Sequence, residues 1–369
     1  MKRNQIWWGI TASAGMLMLI LDSSTALNGA KEGLALCIQS LIPSLFPFFV
    51  LSSLLTGALL GTDLPFLRPI GKLLQIPDGC ESLLIPGFLG GYPAGAQCIG
   101  QAFRQGNISE ANARRLLLFC NNAGPSFLFG VLGPMFPEKW MLWALWGIQI
   151  SAALFCARCF PGHQEKNTVQ RSTGISINEA LSGSVRTMGA VCGWVVLFRT
   201  GIAFAGKWGL RSLPVAAQVL VTGLLELSNG CLGLLSVDDI RVRFLLCSAM
   251  LSLGGMCVAM QTASVIGSLS LCPYLGGKLL QCIFSLCIGI SFLYHKPLYL
   301  LLPVVLWWFL KKTVAKRSSL VYNKPINSRR NQYAFSEKNR KGLHVLSSGY
   351  SAGGGTDSLH QAGSALSRR

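Results

Sequence analysis

Long apolar runs separated by short polar stretches make up most of the chain. Mostly apolar segments near the ~20 residues that a bilayer-spanning helix needs occupy 6–27, 38–60, 116–136, 140–158, 183–206, 244–265, 276–294 and the shorter 297–310. This pattern predicts an all-α polytopic membrane protein with about eight transmembrane helices. Residues 28–37 carry Lys31 and Glu32 in an otherwise apolar setting and read as an interfacial helix. Trp140, Trp143, Trp146, Trp307 and Trp308 sit near span ends, where indoles favour the interface.

Two further apolar stretches are interrupted. Residues 80–103 contain GFLGGYPAGAQ, and 214–236 contain LLELSNGCLGLL. Gly and Pro break or bend helices. Freed backbone groups survive at membrane depth only inside protein or beside a cavity. Both stretches therefore read as re-entrant hairpins. Each is followed by an interrupted span, FCNNAGPSFLFG at 119–130 and SLGGMCVAMQTAS at 252–264. The two halves thus share one order of elements.

Charge orients them. With Lys2 and Arg3 in the cytoplasm, the positive-inside bias puts Arg104, Arg114 and Arg115 on the same side if 80–103 is re-entrant. Lys207, Asp238 and Asp239 then fall outside, so the hairpins enter from opposite faces as an inverted repeat. The predicted organisation is a first helix at 1–27, a first repeat at 28–160, a cytoplasmic loop at 161–179, a second repeat with the last helix at 180–310, and a tail at 311–369.

Composition fits this reading. Of 369 residues 51% are hydrophobic and only 12% charged, about half the charged share of a soluble domain. Mean hydropathy is +0.48. The net charge of +18 lies largely in the tail and beside apolar runs, which suits anionic headgroups rather than nucleic acid. The tail holds 12 Lys and Arg with only Glu337 and Asp357, and reads as disordered and cytoplasmic. The 13 cysteines lie mostly in apolar runs and act as small apolar residues. No hydrolytic triad, phosphate loop, dinucleotide fingerprint or metal-ligand cluster is present. Neither enzyme chemistry nor a cofactor is expected, and the coupling ion and oligomeric state stay open.

Polar residues at the breaks are the candidate site. Paired Gly-interrupted segments point to a transporter's substrate site. Asn121, Asn122 and Ser126 flank Gly124 and Pro125. They read either as lining a solute site or as hydrogen-bonding glue in a kinked helix. Glu226 is the acidic residue inside an apolar stretch, and must be paired, protonated or solvated. Cation binding, proton relay, pairing with Arg186 and a purely structural pair all remain open for it. Arg186 and Arg199 could hold an anion. Gly91, Tyr92, Asn229 and Gln261 complete the set at or near the breaks.

The runs LIPSLFPFFVLSSLL, GFLGGYPAGAQ and FCNNAGPSFLFG, then GLLELSNG and GGMCVAMQ, resemble in order and spacing the sporulation integral membrane proteins of the YlbJ type. The resemblance covers roughly 26–295. It implies a nucleoside-recognition "Gate" domain, similar in fold to concentrative nucleoside transporters, with two opposed hairpins and two discontinuous helices. It also implies a role in endospore formation and transport of dipicolinate, a small aromatic dicarboxylate, across the outer forespore membrane. The matching positions are Gly90, Gly91, Tyr92, Pro93, Asn121, Asn122, Gly124, Pro125, Glu226, Gly254, Gly255 and Gln261. The expected partners are the lipid bilayer and a small-molecule substrate. The competing readings are a non-transporting scaffold for sporulation and a nucleoside-type permease.

Overall fold

The computed structural model describes residues 2–62, 64–160, 162, 174–301, 304, 305 and 308. The chain divides into two units, Met1–Lys312 and Thr313–Arg369, and every described residue belongs to the first. The expected tail, residues 161 and 163–173 of the expected loop, and 302, 303, 306, 307, 309 and 310 of the expected last span lie outside the described residues.

The described residues are helical, with no strand among them. Helix α1 (Lys2–Leu21) ends at Asp22, whose carboxylate accepts from the Thr25 backbone N–H and opens the next helix. That helix, α2 (Ser23–Leu59), runs for 37 residues. A π turn at Cys37–Leu41 widens it just ahead of Pro43, giving the proline ring room against the preceding turn. At 1.5 Å per residue α2 is about 55 Å long, well beyond the ~30 Å hydrocarbon layer. This corrects two boundaries. The first helix ends at Asp22 rather than 27, and 28–37 is part of α2 rather than a separate interfacial helix.

After the short α3 (Arg68–Leu74) comes the first hairpin. A single turn of 3-10 helix, Glu81–Leu83, leads into α4 (Leu84–Phe88), and α5 (Ala94–Arg104) returns alongside it. The expected span 116–136 is not one helix. Helix α6 (Glu110–Leu117) stops, the chain is irregular to Gly124, and α7 (Pro125–Gly130) begins on the proline. Helix α8 (Lys139–Cys159) closes the first half. Helix α9 (Ile177–Lys207) opens the second, with a capping box in which Ser176 and Glu179 satisfy each other's backbone N–H groups. The second hairpin pairs α10 (Val215–Leu225) with α11 (Leu227–Gly233). The second broken helix is α12 (Ile240–Leu253) and α13 (Gly255–Val265), parted at Gly254. Helix α14 (Cys272–Tyr294) follows.

Among the described residues, five helical stretches are long and apolar enough to cross a membrane: α2, α8, α9, α12 with α13, and α14. The other expected spans are shorter or interrupted. The outer surface of these helices is apolar: Leu51, Leu197 and Leu279 are each more than half exposed. Such a surface suits lipid, not water. Helices α2 and α9 pack closely through Gly29 and Gly33. A Cβ at Gly29 would stand 2.8 Å from the Thr200 Cα, and one at Gly33 2.9 Å from the Val196 Cα. This is the small-residue contact that lets membrane helices approach.

Candidate functional site

Each hairpin leans on the break of the broken helix that follows it. In the first half, a Cβ at Gly124 would stand 2.7 Å from the Leu89 carbonyl oxygen and 2.8 Å from the Gly91 nitrogen. In the second, a Cβ at Gly255 would stand 2.6 Å from the Gly223 carbonyl oxygen. Only glycine lets backbone meet backbone at this range.

Tyr92, at the first hairpin tip, joins the halves. Its hydroxyl donates to the Leu251 carbonyl at 2.9 Å, and a Cβ at Gly254 would meet its ring at 3.3 Å. Asn121 makes a second link. Its amide nitrogen donates to the Thr262 hydroxyl at 3.1 Å, and its oxygen accepts from the Ala96 N–H at 3.3 Å. Where the breaks converge there is a cavity of about 30 Å³, walled by Leu41, Leu45, Tyr92, Val191, Val195, Glu226 and Gln261 among others. It has room for water, not for an aromatic ring.

Glu226 is 1% exposed and forms the tip of the second hairpin. Its carboxylate accepts from the Ser228 N–H (3.0 Å), the Asn229 N–H (2.7 Å) and the Asn229 side-chain amide (2.7 Å). These donors meet the needs of a buried carboxylate and cap α11.

Behind Tyr92 lies a buried cation. Lys278, on α14, is 1% exposed. Its ammonium donates to the Gln281 Oε1 (2.8 Å), the Asn122 Oδ1 (3.1 Å) and the Tyr92 hydroxyl (3.1 Å). Gln281 also donates to the Asn122 Oδ1 at 2.8 Å and to the Gln149 carbonyl at 3.2 Å. The Asn122 amide nitrogen donates to the Phe119 and Gly87 carbonyls. The sequence reading missed Lys278, Gln281 and Gln149. A span drawn from 276 leaves Lys278 at its rim, whereas α14 begins at Cys272 and carries Lys278 inward.

Two larger polar depressions flank this centre. One, of about 460 Å³, is lined by Glu32, Arg199, Lys207, Arg211, Gln218, Thr222 and Asn229 among others. The other, of about 520 Å³, is lined by Ser53, Gln97, Gln101, Arg104, Glu179 and Arg186 among others. Helix α9 relates all three. Its start, near Glu179–Arg186, lines one depression. Val191 and Val195 line the cavity, and the turns from Arg199 to Lys207 line the other depression. Arg186 and Arg199 are 13 positions apart, about 20 Å along the axis. The first hairpin contributes to one depression and the second to the other.

Of the candidate residues, Tyr92, Glu226 and Gln261 line one cavity. Gly91 lies beside Gly124 at φ +82°. Asn121 and Asn122 are buried in internal hydrogen bonds behind that wall. Ser126 has a buried hydroxyl with no hydrogen-bond partner among the described residues. Asn229 bonds Glu226 and faces the depression near Arg199. Arg186 does not reach Glu226: it is exposed, in the opposite depression. Arg199 pairs with Glu32 instead. Among the described residues, no group of three or more His, Cys, Asp or Glu stands close enough to hold a metal ion.

The chain is similar to the sporulation integral membrane protein YlbJ of Bacillus subtilis (strain 168). The two are 25% identical over 337 residues, with 76% of this chain and 80% of that relative covered. No family model matches the chain, and no solved structure matches it.

Proposed function

We propose that this chain, a sporulation integral membrane protein of the YlbJ type, is a transporter that moves a small anionic aromatic solute by alternating access. The observation that carries the reading is the succession along α9: polar depression, small cavity, polar depression. A scaffold has no need of two polar depressions on either side of a core of broken helices. Opposed hairpins meeting at helix breaks are the arrangement in which one repeat rocks against the other around a central site.

The charge of the depressions supports an anion. In one, Arg199 pairs with Glu32 and Lys207 with Asp22, which leaves Arg211 in excess, and in the other Arg104 and Arg186 stand against Glu179. Cationic walls raise the local concentration of anions. Dipicolinate across the outer forespore membrane is the solute and place that the resemblance suggests. In this reading Tyr92 and the Glu226–Asn229 pair are the two gates of the cavity, and no cofactor or bond-making chemistry takes part. Charge placement favours the depression near Lys207 facing outward and the one near Arg104 facing the cytoplasm.

The test is flux. Purified chain in sealed proteoliposomes is expected to accumulate dipicolinate above empty vesicles and above nucleoside controls. Glu226→Gln, which loses the charge that holds the second tip, is expected to slow flux at normal expression. Nucleoside flux without dipicolinate flux would favour the permease reading, and no flux of either would favour the scaffold.

A further inference from the structure

Lys278 is a charge for which the flux mechanism above has no task. A buried ammonium at membrane depth is costly, and such groups usually pair with a carboxylate. Here, among the described residues, no carboxylate stands within ion-pair distance of it. Its three N–H donors meet three neutral oxygens from three places: the first hairpin tip (Tyr92), the first helix break (Asn122) and α14 itself (Gln281). The Tyr274 ring stands beside the shell, with the ammonium 5.7 Å from its centroid. Acceptors are in surplus nearby, since the buried Oε1 of Gln149 has no donor among the described residues.

Hydroxyl and amide oxygens gathered at a hairpin tip and a helix break are the ligands that hard monovalent cations take. Discontinuous helices are also where transporters hold their coupling ions. In this chain the place is filled covalently. We propose that Lys278 is a tethered cation standing where a co-transported metal ion would bind, so that the tip of the first hairpin is held closed without Na⁺. Its meaning rests on the transporter reading, but its test does not, because the readout is cation binding rather than flux.

The experiment compares the thermal midpoint of the purified full chain in the chlorides of Li⁺, Na⁺, K⁺ and choline at matched ionic strength. The wild-type midpoint is expected to be the same in all four salts. Lys278→Ala removes the ammonium and leaves the oxygens and the space. It is expected to melt lower in choline and to regain stability as Na⁺ or Li⁺ rises, by the ordinary linkage of binding to folding. Lys278→Met fills that space with an apolar chain and is expected to melt lower without any response to cations. A Na⁺-specific rise in the wild type would overturn the proposal, as would a folded Lys278→Ala that ignores every cation. If Lys278→Ala does not accumulate, radioactive-sodium binding to the wild type decides. Saturable binding overturns the proposal, and its absence supports it. Loss of dipicolinate flux with an unchanged cation response would count against the transporter reading alone.

Discussion

The Tyr92 hydroxyl donates to the Leu251 carbonyl at 2.9 Å and accepts from the Lys278 ammonium at 3.1 Å. One side chain thus ties the first hairpin tip to the second broken helix and to a buried charge. Tyr92→Phe keeps the ring and removes both bonds. It leaves one N–H of the ammonium without its acceptor and the Leu251 carbonyl with the Gln149 amide as its remaining donor, at 3.2 Å, a loss on the order of 1–3 kcal/mol. Thermal unfolding of the purified variant is expected to show a lower midpoint. An unchanged midpoint would mean that the tip is held by packing alone.

Asn122 lies in the first break and Ser126 in the first turn of α7 that follows it, and the two are expected to behave oppositely. Asn122→Ala removes the acceptor of Lys278 and Gln281 and the donor to Gly87 and Phe119. Its cost is expected on the order of 3 kcal/mol. The Ser126 hydroxyl has no partner among the described residues, so Ser126→Ala is expected to be neutral within about 0.5 kcal/mol. Equal midpoints for the two variants would contradict the hydrogen-bond assignment.

How much of this was legible in the sequence follows from what breaks a pattern. Both hairpins and both interrupted helices were readable because Gly90, Gly91 and Pro93, then Glu226, Asn229, Gly230 and Gly233, and Gly124, Pro125, Gly254 and Gly255 interrupt apolar runs. Lys278 and Gln281 were not, because an isolated polar residue near the end of an apolar run looks like a flank until the helix start is known. Gln149 lies in an unbroken run and gives no signal. Arg186 looked equivalent to Arg199 in sequence, yet α9 carries them to opposite depressions. The unity of α2 was hidden by Lys31 and Glu32, whose charge is accommodated in part by the Glu32–Arg199 pair.

The α2–α9 contact predicts a contrast between two helical glycines. Gly33→Ala places a methyl 2.9 Å from the Val196 Cα, whereas a Cβ at Gly147 meets nothing within 4 Å. The first is expected to destabilise by about 1–3 kcal/mol. Gly147→Ala is expected to be neutral or to stabilise by up to ~1 kcal/mol. Paired melting curves check the sign of each.

Asp22, in the turn ahead of α2, pairs with Lys207 at the end of α9. The Lys207 ammonium, then the Thr25 side chain and backbone, hold its carboxyl well below the usual carboxylate range. A carboxylate with a depressed folded pKa stabilises the fold above its unfolded pKa, about 3.9, and loses that contribution as pH falls through the folded value. Wild type is therefore expected to melt above Asp22→Asn at neutral pH. The gap should narrow on acidification below about pH 4 and shrink in high salt. A gap that persists unchanged in strong acid would rule the pair out as its source.

In the transport reading, a path along α9 opens to each face in turn. Side-specific labelling in sealed vesicles tests it most directly, with the exposed Cys272 first replaced by Ser. Single cysteines are placed at Thr222, Gln101 and Val195, in the two depressions and the cavity between them. With a membrane-impermeant maleimide, Thr222→Cys is expected to react only from the outer face and Gln101→Cys only from the cytoplasmic face. Val195→Cys is expected to react slowly from either face. Labelling of Thr222→Cys and Gln101→Cys from the same face, or of Val195→Cys from neither, would contradict the account.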